Sequence, residues 1–214
     1  MNFRISTFIF ICYLGPVFFL YSAAHSTGQN TAENANEWHF SDVTFTITGT
    51  SNVRDWEIAT DELTGMLRTG PAFAGFAESS DNPDQWFEEV SLSIPKESLD
   101  SGNSMMNQTM LTTFKSDEHP YLKYRVISVE EVKPGSNSDE RIFLVDGSAS
   151  AAGAEHGFKH EVSVQKKSSG SYLVYGTFDI KMTDLNMEPP TFMRGALKTA
   201  DDTTVAYKFT ITKD

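Results

Sequence analysis

The chain has 214 residues, 39% hydrophobic and 12% aromatic, with 17 Lys+Arg against 29 Asp+Glu and a single cysteine. A formal net charge of −12 argues against a nucleic-acid binder, whose phosphate contacts need clustered Lys and Arg, and against docking on an anionic membrane. The apolar fraction argues against intrinsic disorder, and one cysteine excludes a disulfide scaffold.

Residues 1–24 carry a positive start at Arg4, a mostly apolar run to Leu20 and small residues at Ser22, Ala23 and Ala24. This is the layout of a secretory signal peptide cleaved after Ala24. Pro16 and the shortness of the apolar run argue against an uncleaved anchor. Cys12 leaves with the signal, so the exported chain holds itself together by its packed core alone. Its expected destination is a periplasm or the extracellular space, with no stable membrane span after cleavage. Residues 25–37, HSTGQNTAENANE, are polar and aperiodic and read as a flexible leader. Residues 38–214 read as one domain.

Within that domain the dominant pattern has period two. Val43, Phe45 and Ile47 alternate with threonines. Residues 56–68 follow as one long strand, bent or bulged near Gly65. The loop at 70–84 carries Phe73 and Phe76 to a rim or a partner contact. Val90, Leu92 and Ile94 resume the alternation. Residues 100–114 then predict a helix, capped by Asp100, Ser101 or Asn103, with Met106, Met110 and Phe114 on one face. Strands return at 121–131 and 141–149. Phe158, His160, Val162 and Val164 alternate with polar residues, and a strand over 172–182 contains Gly176, where a bulge or a close approach is expected. Val205, Tyr207, Phe209 and Ile211 close the series. Such alternation wets one face and buries the other, which is the signature of antiparallel sheet.

These elements give an all-β fold of eight antiparallel strands with a short helix after the third. Closing the sheet into an extended barrel hides its edges. An eight-stranded barrel is either filled by its own side chains or holds one small ligand, and the pattern leaves both open. The inward set (Trp56, Leu92, Ile94, Met106, Met110, Phe114, Tyr124, Phe158, Val162, Phe178, Ile180 and Phe209) would favour an apolar guest. No nucleophile motif, metal-ligand spacing or phosphate loop stands out, so the sequence calls for no cofactor, no metal and no enzyme activity. The rival reading is a stress or interaction protein whose barrel is filled by its own side chains. A lipid-modifying enzyme using Tyr124 or His160 as acid or base is the weaker rival, and His160 reads first as a hydrogen-bonded core histidine. Arg54, Arg125 and Arg194 read first as surface pairing charges, with contact to a pyrophosphate or carboxylate head group as the alternative, and Glu88-Glu89 and Glu130-Glu131 as solvated edges. A homodimer is left open.

Three segments carry a resemblance. Residues 92–126 contain Pro95, Ser98-Leu99-Asp100-Ser101-Gly102-Asn103, Met110, Phe114 and Pro120. Residues 176–199 contain Met182-Thr183-Asp184 and Pro189-Pro190-Thr191, and residues 49–56 read GTSNVRDW. In this order they resemble the YceI-like family of secreted lipid-binding proteins. The resemblance covers roughly residues 38–213 and implies a lipocalin-like barrel whose cavity holds a polyisoprenoid, an isoprenoid quinone or a fatty-acid-like chain. Arg54 stands where many members carry His.

Overall fold

The computed structural model describes residues 38–76, 82–168 and 170–213. The expected signal at 1–24 and leader at 25–37 lie outside the described residues. The strands are β1 (Trp38–Ser51), β2 (Trp56–Thr60), β3 (Thr64–Thr69), β4 (Phe87–Pro95), β5 (Tyr121–Pro134), β6 (Glu140–Ser150), β7 (Glu155–Ser168), β8 (Ser171–Lys181), β9 (Thr191–Phe192) and β10 (Leu197–Lys213). Two α-helices interrupt them, α1 (Pro71–Ala74) and α2 (Ser104–Thr113). The sheet runs in the order β2-β1-β10-β8-β7-β6-β5-β4-β3, with β9 pairing only with β10. Among the described residues the strands of this sheet pair antiparallel, as the alternation requires.

The two edge strands, β2 and β3, are consecutive in the chain. Residues 61–63 join them, so one end of each edge lies within roughly 14 Å of the other. The sheet is therefore strongly curled, a barrel left open between β2 and β3. The expected single strand over 56–68 is divided here. The Thr60 hydroxyl accepts from the Glu62 amide (3.0 Å) and bonds the Ser98 hydroxyl (2.7 Å), turning the chain out of the ladder ahead of Gly65. The free edge of β2 is covered locally, because Ala59 and Asp100 exchange both backbone hydrogen bonds, at 2.9 and 2.8 Å.

One end of the curl is sealed by aromatic rings. Phe73 and Phe76 are buried there with Trp38, Trp86, Phe143 and Tyr172, not displayed on a rim. The Phe73 ring lies 4.6 Å from Tyr172, and Trp86 meets Phe143 edge-on at 5.1 Å. Local chemistry turns the loop inward. Pro71 opens α1, and Gly70 lies so close to the Gln85 carbonyl that a side chain would collide with it. The Gly70 amide donates to the Trp86 carbonyl at 2.9 Å. Every one of these rings is apolar mass withdrawn from water, which is why a loop rich in Gly, Ala and Phe folds back onto the sheet.

The other end is closed by α2. Asn103, one of the three caps expected, accepts from the Met106 amide at 3.0 Å. The C-terminus of α2 rests on Lys96, whose ammonium is fully buried and donates to the carbonyl of Phe114 (2.9 Å) and to that of His119. Burial lowers the Lys96 pKa to about 8. Carbonyl partners and the negative end of the helix offset that desolvation. Replacing Trp86, which is 0% exposed, by Ala should cost about 3–5 kcal/mol, read as a lower urea midpoint with little change in slope.

Candidate functional site

Between the two sealed ends the curled sheet encloses a cavity, with ≈ 180 Å³ open to the centre of a water-sized sphere. Its wall follows the alternation strand by strand: Val43, Phe45 and Ile47 on β1, Val90, Leu92 and Ile94 on β4, Leu122, Tyr124 and Val126 on β5, and Val205, Tyr207, Phe209 and Ile211 on β10. From Thr203 to Ile211 the lining extends about 26 Å along β10 at ~3.3 Å per residue. The space is long and narrow, suited to a slim chain and too small for a bulky ring system without movement.

The wall has few polar side chains. His160, 7% exposed, places Nε2 3.3 Å from the Tyr124 hydroxyl, while its Nδ1 is buried without a hydrogen-bond partner. The ring packs against Phe158 and Phe178, each 5.1 Å away. Burial lowers the His160 pKa from the ordinary 6.5 to about 4. The Tyr124 phenol is pushed up, first by burial, then by the nearby Tyr207 and Asp146 charges. Burial does the same to Tyr207. All three side chains are therefore neutral near neutral pH.

At the α2 end the cavity adjoins a wider groove, ≈ 550 Å³ by the same measure. Trp56, Phe114 and Met182 line both spaces and form the partition between them. Trp56 lies across Gly49, where any side chain would strike the indole, and donates from Nε1 to the Thr50 carbonyl at 3.3 Å. The groove's outer rim is apolar and exposed at Val53, Met105, Phe192 and Met193. Asn52 ties the rim together, donating to the Ala196 carbonyl (2.8 Å) and accepting from the Lys198 amide (2.9 Å).

Of the residues singled out from sequence, Trp56, Leu92, Ile94, Phe114, Tyr124, Val162, Phe178, Ile180 and Phe209 line the cavity. Met106 and Met110 line the groove instead. Phe158 lines neither space but packs on the neighbouring core, 4.6 Å from Phe178. Arg54 is exposed beside the groove, Arg125 pairs with Glu155, and Glu89, Glu130 and Glu131 pair with Arg68, Lys159 and Lys133 on the surface. Among the described residues no cluster of His, Cys, Asp and Glu is arranged to hold a metal. Sequence reasoning missed Tyr207 as a polar wall residue and Lys96 as an anchor. Gly176 was the available signal for Tyr207, since the approach it permits is that of the Tyr207 hydroxyl.

The YceI-like domain family matches residues 37–211. The chain belongs to the YceI-like family. No curated protein matches it in sequence. Among solved structures, its fold is similar to BcnA of Burkholderia cenocepacia, with 15% identity, a TM-score of 0.57, and coverage of 78% of this chain and 95% of that one. A polyisoprenoid-binding domain from Saccharophagus degradans, implicated in plant cell wall breakdown, matches at 14% identity and TM-score 0.62 over 85% of this chain and all (100%) of that one. The YCEI protein of Campylobacter jejuni matches at 13% identity and TM-score 0.51 over 73% and 84% of the two chains.

One of the resemblance segments of this YceI-like chain shapes backbone. Ser98 donates to the Pro95 carbonyl (2.8 Å), Asp100 accepts from the Gly102 amide (2.9 Å) and from Asn107, and Gly102 takes a φ of 70°. These residues set the entry to α2 and touch no cavity space.

His160 makes the fold sensitive to mild acid. As pH falls through 6.5 the unfolded chain takes up a proton that the folded chain refuses until about 4, so stability declines across that window and is complete above it. His160→Phe should lose less stability between about pH 7 and about pH 4.5 than the native chain, measured by urea unfolding at both values.

Proposed function

We propose that this YceI-like protein is an exported binding protein that sequesters or carries one amphiphilic lipid in its cavity. The observation that carries the reading is the continuous apolar tube inside the curled sheet, closed by aromatic rings at one end and bordered by an apolar groove at the other. A tail lying in the tube gains roughly 0.8 kcal/mol per buried CH₂, so several isoprene or alkyl units bind usefully with few polar contacts. The ligand classes that fit are a polyisoprenoid, an isoprenoid quinone or a fatty-acid-like chain. The polyisoprenoid-binding description of the Saccharophagus degradans domain supports the first of these. The tail enters past Trp56, Phe114 and Met182, and its head stays in the groove near Arg54.

The reading needs no chemistry on the lipid. His160 and Tyr124 are both held neutral inside the wall, His160 by burial alone, and among the described residues neither is hydrogen-bonded to a carboxylate that would orient it as an acid or base. The signal-like layout of residues 1–24 supports export to a periplasm or the extracellular space, where a lipid moving through water needs a carrier.

Native mass spectrometry of protein purified from its source should show an added mass of several hundred daltons that organic extraction removes. Bare protein from several growth conditions would instead favour a barrel serving without ligand. Val162→Trp, which fills the tube, should abolish that added mass while circular dichroism stays unchanged. N-terminal sequencing of the same exported sample should begin at His25, and an intact Met1 would remove the export step.

A further inference from the structure

The cavity wall is interrupted at one level by a polar band. There Tyr124 of β5, His160 of β7 and Tyr207 of β10 line the same space. The two phenols are let in by glycines. A Cβ on Gly147 would stand 2.6 Å from the Tyr124 hydroxyl, and one on Gly176 would stand 2.5 Å from that of Tyr207. Gly147 pairs with Phe158 and Gly176 with Val162, so the two slots flank His160 on the neighbouring strands β6 and β8. Side chains are omitted on both sides of the histidine so that hydroxyls can reach its level.

The imidazole in this band is one hydrogen bond short. Its Nε2 engages the Tyr124 hydroxyl at 3.3 Å, and its Nδ1 is buried with no partner. A phenol donates more readily than it accepts, and an imidazole nitrogen is the better acceptor of the two, so the bond runs from Tyr124 to Nε2. The proton then resides on Nδ1, and an N–H in an apolar wall calls for an acceptor oxygen. That oxygen must be uncharged. Among the described residues the wall's one charged side chain is Lys123, which is exposed, so a carboxylate or phosphate at this depth would lack a counter-charge.

Building on the carrier reading, and selecting among its ligand classes the fatty-acid-like chain because an isoprenoid tail carries no oxygen, we infer that Tyr124, His160 and Tyr207 form a specificity subsite for a neutral carbonyl oxygen, a ketone, ester or amide, set within the apolar body of the ligand and not at its head. His160 Nδ1–H supplies the hydrogen bond, Tyr124 fixes the tautomer, and the Tyr207 hydroxyl faces the same oxygen from β10.

Two slim probes of equal length test this: a straight-chain ketone with its carbonyl at mid-chain, and the matching alkane. Both are delivered from cyclodextrin to protein stripped of lipid. The ketone should bind about tenfold more tightly than the alkane, the worth of one well-made buried hydrogen bond. Its C=O infrared band should move to lower frequency on binding. His160→Phe should bring the affinity ratio close to one and return the band to its position in hydrocarbon solvent. Tyr124→Phe, which keeps the ring and frees the tautomer, should lower the ratio and the band shift less. Equal affinity for the two probes in the native chain, or a ratio and band unmoved by both variants, overturns the subsite and leaves the carrier standing. If neither probe binds, the carrier reading falls and the subsite with it.

Discussion

A curled sheet keeps a cavity only if its two ends exclude water while the side chains between them fail to meet. The two ends achieve this differently. At one, rings of several elements interlock, with Trp86 and Phe143 both completely buried. Such contacts are dense, edge-to-face and hard to loosen, because opening them exposes large apolar areas at once. At the other, a single helix of ten residues is held by a cap at Asn103 and by Lys96 under its last turn. A helix that short draws its stability from what it packs on, so the two ends differ in how readily they yield. The asymmetry gives the tube a floor and a mouth.

The same asymmetry explains the distribution of methionine. Met106, Met110 and Met182 cluster where the groove meets the cavity, while the plugged end uses Phe, Trp and Tyr. Unbranched thioether chains adapt to different neighbours, whereas rings fix one arrangement. The partition combines both kinds, Met182 together with the Phe114 ring and the indole that Gly49 holds in place, and under the proposed carrier role the thioether is the part that yields.

Much of this was legible in the sequence because period two is a local property. Val43-Phe45-Ile47 or Val205-Tyr207-Phe209 states which face is inward whatever strand lies next to it, and the wall residues follow directly. Other features depend on contacts between distant segments. Nothing local says that the chain over 56–68 leaves the ladder at Thr60, because the decision rests on Ser98, far along the chain. Phe73 and Phe76 sit in a segment with loop composition, and only the rings of Trp38, Trp86 and Tyr172 make burial their better state. Lys96 is the sharpest case, since a lysine is placed outside by every compositional rule. It is inside because the carbonyls of Phe114, at the end of α2, and of His119 converge there. Met106 and Met110 were read on the right helix face but one compartment too deep, since helical periodicity gives direction and not depth.

Sequence identities of 13–15% with similar folds raise the question of what such distant chains still share. In this chain the recognisable segments include those that dictate backbone, the Gly49 slot under Trp56, the Ser98–Asn103 turn into α2 and the rim staple at Asn52, together with Trp56, Phe114 and Met182 between cavity and groove. The cavity wall needs only apolar side chains of suitable volume, and many substitutions satisfy that. Selectivity must then lie in the few wall positions that are not interchangeable. A neutral histidine held by a tyrosine, with glycines on both flanking strands, is such a position, because no apolar residue reproduces its donor and any side chain at Gly147 or Gly176 would displace a hydroxyl. The backbone-setting residues thus fix the container, and under the proposed carrier role the polar band at its middle is the part of this wall able to discriminate between apolar chains.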